Sequence, residues 1–150
     1  MPQSLARVYV QIVFSTKNRN PWIDEEIESQ LHAYMAEVMR ACGCPVMAIN
    51  GTEDHVHILC TLARVITMAD LVEEVKKRSS KWIKTRDERY ESFAWQNGYG
   101  AFSVGERGLE TVIAYIEKQK EHHRNKTFRD EYREFLDFHR IDYDERYVWD

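Results

Sequence analysis

His55 and His57, separated only by Val56, are the two side chains best suited to holding a divalent cation. In a strand, residues two apart point to the same face, so both imidazoles would emerge together with Val56 and Ile58 opposite. Two neutral imidazoles on one face can bind a metal. The same pattern also describes two surface histidines on a half-buried strand. A second pair lies far along the chain: Tyr115 and Gln119 are four apart, hence neighbours on one side of a helix. A phenolic oxygen can attack phosphorus after deprotonation or with metal assistance, giving a phosphotyrosine linkage and releasing a sugar hydroxyl. Gln119 offers an amide oxygen that could complete a site begun by His55 and His57. Ordinary positions on a surface helix are the competing account.

The elements that must carry these residues follow from hydrophobic spacing. Residues 5–15 read as a first strand, with Val8, Val10, Ile12 and Phe14 on one parity and Tyr9, Gln11 and Val13 on the other. Asp24 caps a predicted helix to Ala41, with Ile27, Leu31, Tyr34, Met35, Val38 and Met39 as its apolar stripe. A short strand from Cys44 to Asn50 precedes the histidine strand, and Asn50-Gly51 is the turn signal between them. Thr67 caps a second helix, because Asp70 lies three residues on. Residues 101–104 form a short late strand. A helix from Leu109 through His122 or His123 carries Tyr115 and Gln119, and Thr127 starts a last helix. This order of strand, helix, strand, strand, helix, strand and further helices matches an α+β fold. It predicts a ferredoxin-like antiparallel sheet with helices packed on one face, plus a C-terminal helix bearing the tyrosine.

The stretch 76–89 carries seven basic residues against two acidic ones. Lys76, Lys77, Arg78, Ser80, Lys81 and Lys84 make it the best nucleic-acid footprint in the chain, and Tyr99 or Trp95 could stack on an unpaired base. A solvated helix face remains the alternative. The net charge of −4 argues against indiscriminate binding to nucleic acid. Three cysteines, Cys42, Cys44 and Cys60, do not suggest a disulfide framework. No apolar run approaches a membrane span and no signal-like region precedes the first strand, so the expectation is a cytoplasmic protein.

The ordered combination of His55-Val56-His57 with Tyr115 and Gln119 resembles the small insertion-sequence single-tyrosine transposases of the HUH class. Residues 77–82 and 95–100 also look like family sequence. The resemblance spans almost the whole chain and implies one transposase domain over 1–150. It implies cleavage and rejoining of single-stranded DNA at hairpin-marked element ends through a 5'-phosphotyrosine. The implied cofactor is Mg2+ or Mn2+ on His55, His57 and Gln119, with Tyr115 as nucleophile. It further implies a homodimer in which the tyrosine helix can complete the partner's histidine site. A processing enzyme for repetitive elements with the same chemistry, and a noncatalytic nucleic-acid-binding protein, are the alternatives.

Overall fold

The computed structural model describes residues 2–150. Four strands, β1 (Tyr9–Ser15), β2 (Val46–Gly51), β3 (His55–Thr61) and β4 (Gly100–Val104), form one sheet in the order β2-β3-β1-β4. Every neighbouring pair is antiparallel, as expected for a ferredoxin-like α+β fold. Residues 101–104, predicted as a late strand, form β4 at the edge beside β1, joined by Gly100.

Helices α1 (Glu25–Ala41) and α2 (Met68–Lys84) cover one face. Asp24 accepts a hydrogen bond from the Ile27 amide and Thr67 accepts one from the Asp70 amide, so both predicted caps satisfy otherwise orphaned donors. Beneath them Val10, Ile12, Phe14, Val56 and Ile58 pack with Leu31, Met35, Leu71 and Val75. Tyr34 of the predicted α1 stripe is only half-buried and stacks on Trp82 at 5.0 Å.

The opposite face is covered by α3 (Leu109–Glu117), α4 (Gln119–His122) and α5 (Phe128–Phe138). Thr127 caps α5 on the Asp130 amide. Two smaller apolar clusters hold these helices down. Val13 and Phe102 meet Phe128, Tyr132, Leu136 and Trp149, while Tyr9 and Leu59 meet Leu109 and Ile116. A Cβ at Gly100 would press on the Phe102 and Tyr132 rings, which shows how closely α5 lies on the sheet. The histidines sit between these two clusters.

Two local expectations shift. Asn50 and Gly51 belong to β2 rather than to the turn, which falls at Thr52–Asp54. A Cβ on Gly51 would collide with the His55 carbonyl, so glycine lets the strands close immediately before the histidine pair. The single helix expected from Leu109 to His122 breaks at Lys118 (φ −98°, ψ 18°). Asn50 Nδ2 donates to the Ile116 and Glu117 carbonyls at 3.0 and 3.1 Å, drawing them away from the helical ladder. No helix among the described residues is long and apolar enough to cross a membrane.

A buried histidine, carboxylate and tyrosine site

Strand parity decides where the imidazoles point. His55 and His57 alternate with Val56 and Ile58, and both rings enter the α3–α5 side fully buried. Each is oriented from behind. Asp54 Oδ1 accepts from His55 Nδ1–H at 2.8 Å, with Thr52 Oγ1 2.9 Å from the same nitrogen. Burial pushes the Asp54 carboxyl up, but hydrogen bonding to His55 outweighs it and the group lies below its ordinary range. Gln11, diagonal to His57 across the β1–β3 ladder, places its amide nitrogen 3.1 Å from His57 Nδ1.

The front of the site comes from the C-terminal helices. Asn50 and Lys120 fix the bend after α3: Lys120 Nζ donates to Glu28 Oε1 at 2.6 Å and to Asn50 Oδ1 at 3.1 Å. That bend turns Gln119 inward, where its Oε1 lies 3.0 Å from His55 Nε2 of the same chain. Tyr115, one turn earlier, is half-buried with His122 stacked on its ring at 4.6 Å. Sequence reading groups His55, His57, Tyr115 and Gln119, and the fold brings the four side chains together.

It did not see the residue that joins them. Glu131 of α5 is 1% exposed and serves all four surrounding donors. Its Oε1 accepts from His57 Nε2 at 2.8 Å and from His123 Nε2 at 3.0 Å. Its Oε2 accepts from Gln119 Nε2 at 3.2 Å and from the Tyr115 hydroxyl. Burial alone would keep this carboxyl protonated; the hydrogen bonds from His123 and His57 and their charge override it and hold the group far below its usual range. Burial pulls His57 below its ordinary value despite Glu131, whereas in His123 the Glu131 hydrogen bond overcomes burial and raises it. The site thus shifts His57 towards its neutral form and His123 towards its charged form around an ionised Glu131. Burial and then the Glu131 charge push the Tyr115 phenol strongly upward, so its proton stays on until it is transferred. The sequence signal available for Glu131 was weak: a Glu at i and a Tyr at i+1 on a helix whose Phe128, Tyr132 and Leu136 stripe docks it.

The donor set fits a divalent cation. One ligand atom each from His55, His57, His123 and Glu131 lie within 4.8 Å of one another, the span of a single small coordination sphere. With Nδ1 turned to Asp54, His55 Nε2 faces the Gln119 oxygen at 3.0 Å, and a cation would be held by both ligand atoms. The carboxylate behind His55 is also the arrangement that raises the basicity of a metal-binding imidazole.

Residues 4–119 match the family described as IS200-like transposases. The chain belongs to that family. Among solved structures, the chain is similar to a protein from Deinococcus radiodurans R1 described as a transposase. It is 19% identical, with a TM-score of 0.62 over 79% of this chain and 98% of that one. A REP-associated tyrosine transposase bound to a REP hairpin is 14% identical, with a TM-score of 0.61 over 82% of this chain and 73% of that one. No curated protein matches the sequence. In this IS200-like chain the family match ends at residue 119, so His123 and Glu131 lie outside the matched stretch.

The expected nucleic-acid footprint divides in two. Lys76, Lys77, Ser80, Lys84 and Tyr99 line one cavity of about 430 Å3, together with Trp95 and Asn97. It lies on the α2 side of the sheet, away from the histidines. Within it Lys76 is turned inward: its ammonium donates to the carbonyls of Gln96, Asn97 and Gly98 at 2.8, 3.2 and 2.6 Å, and burial pulls it down to about 8. Arg78 pairs with Glu74 at 2.9 Å, and Lys81 is exposed outside the cavity.

Proposed function

We propose that this chain cleaves and rejoins single-stranded DNA through a tyrosine-linked intermediate. The observation that carries the reading is the shared carboxylate: Glu131 joins the Tyr115 hydroxyl to the histidine cluster in a chain of the IS200-like family. His55, His57 and Gln119 would hold the cation, with Glu131 and His123 completing its surroundings. When bound, the metal polarises the scissile phosphate and offsets charge developing on it. The cation is Mg2+ or Mn2+, both of which accept oxygen donors such as the Gln119 amide and the Glu131 carboxylate.

Tyr115 is the nucleophile. As its oxygen forms the bond to phosphorus, its proton passes by way of Glu131 Oε2 to the departing 3'-oxygen, which leaves as a hydroxyl. The chain is then esterified to the DNA 5'-phosphate. Attack by a second 3'-hydroxyl breaks that ester, restores the phosphodiester and returns the proton to Tyr115. Bonds broken and formed balance, so no nucleotide hydrolysis enters. Lys77, Ser80, Lys84 and Tyr99 bind a DNA hairpin on the α2 side, with Arg78 and Lys81 as outer phosphate contacts, while Lys76 shapes the cavity floor. One domain over 1–150 carries these parts, two copies act as a homodimer in the cytoplasm, and each active site is completed within its own chain.

The substrate admits a second reading. A REP hairpin, the ligand of one structural neighbour, is the second candidate target beside the hairpin ends of a mobile element. Incubating the protein with hairpin strands of both kinds, with and without Mn2+, and resolving covalent adducts on a denaturing gel tests both. A Mn2+-dependent adduct at Tyr115 is expected; none on any strand would sink the cleavage reading.

A further inference from the structure

A groove of about 550 Å3 opens beside Tyr115, walled by Gln11, Val112, Tyr115, Phe135, Phe138 and His139. An aromatic run leads from the site into it. Tyr115 meets Phe135 at 5.8 Å, Phe135 stacks on Phe102 at 5.1 Å, and Phe102 stacks on His139 at 4.7 Å. Phe138 stands edge-on to His139 at 5.1 Å and is 82% exposed. No described residue covers that ring.

Resting on the strand-cleavage reading, we propose that this groove seats an unpaired nucleobase next to the scissile phosphate, stacked on Phe138 with its edge towards His139. Continuity fixes the occupant: Tyr115 is a wall of both spaces, and a base travels covalently with the phosphate presented to the phenol. The lining contains no Lys or Arg, and its one carboxylate, Glu134, is engaged by Lys126 at 2.7 Å. It therefore suits a flat uncharged ring rather than a backbone phosphate. The volume is that of a small-molecule site. A second protein copy is a poorer match, because one exposed phenyl ring falls far short of the roughly 800 Å2 that each partner buries in a stable interface. At the rim, the exposed Ser103 hydroxyl can meet the edge of a base. This gives the nucleophile a means of choosing its phosphate: the base must be unpaired to enter.

The test is a ten-nucleotide thymidine strand carrying one 2-aminopurine, titrated with the full chain while fluorescence is followed. Wild type is expected to quench the probe saturably. Phe138→Ala should weaken the quenching roughly 5- to 150-fold, the range for loss of one aromatic stacking partner, and Phe138→Trp should restore it. Quenching equally tight in wild type and Phe138→Ala overturns the proposal, as does binding without quenching. A light-scattering mass that halves in Phe138→Ala while quenching persists also overturns it and assigns the ring to a second copy. Phe138-dependent quenching in a wild-type chain that forms no adduct supports the base site and removes the cleavage reading instead.

Discussion

Beneath α1 and α2 the sheet buries Val10, Ile12, Phe14, Val56 and Ile58 against apolar helix stripes, whereas beneath α3–α5 it buries two imidazoles, two amides and a carboxylate. β3 serves both faces, one residue to each side in turn. The apolar face needs only volume and burial, which are non-directional, so many sequences could fill it. The other face needs every polar group matched. Gln11, Asp54, Thr52, Gln119 and Glu131 each meet a histidine nitrogen, and a missing partner would strand a buried donor or charge. Stability is thus concentrated on one face and chemistry on the other, and substitutions should separate them.

The largest separation is expected at Tyr115→Phe. Covalent DNA linkage should disappear on a denaturing gel while Mn2+ affinity, measured by calorimetry, stays near wild type; an undiminished adduct would reject the phenol as nucleophile. On the apolar face Leu31→Ala should lower unfolding free energy by about 2–5 kcal/mol in urea, with Mn2+ affinity kept in the folded fraction. A marked loss of Mn2+ affinity in the folded fraction of Leu31→Ala would break the comparison.

Glu131→Gln should weaken Mn2+ binding on the order of 10- to 100-fold, the range seen when a group that supports a metal site is lost. The same variant sharpens the assignment in the metal-free protein. The folded Glu131 carboxyl lies below its unfolded value, so its contribution to stability is present above about pH 4.3 and is lost as pH falls towards the folded value. Acid titration monitored by circular dichroism should show that limb flattened in Glu131→Gln; an unchanged limb would remove Glu131 as its source. The smallest effect is expected at Lys84→Ala. Hairpin affinity should fall with the slope of log K against log salt reduced by about one, and stability should stay within about 0.5 kcal/mol. An unchanged slope would take Lys84 out of the interface.

Sequence by itself determined the parity of β1 and β3, hence which residues share a face, because a strand has a fixed period of two. Local capping chemistry at Asp24, Thr67 and Thr127 likewise set where three helices begin. The four-residue spacing of Tyr115 and Gln119 made them helical neighbours before any packing was known. Only the tertiary structure decided the rest. Asn50 reaches across from β2 to break the helix at Lys118, and Glu131 enters from α5, 74 residues beyond His57. Lys76 looks like a phosphate contact in a basic run, yet its position against the 96–98 carbonyls turns it inward. Periodicity acts between near neighbours and can be read along a chain. A buried carboxylate is stabilised by whichever donors surround it, and here those donors come together only once α5 has docked on the sheet.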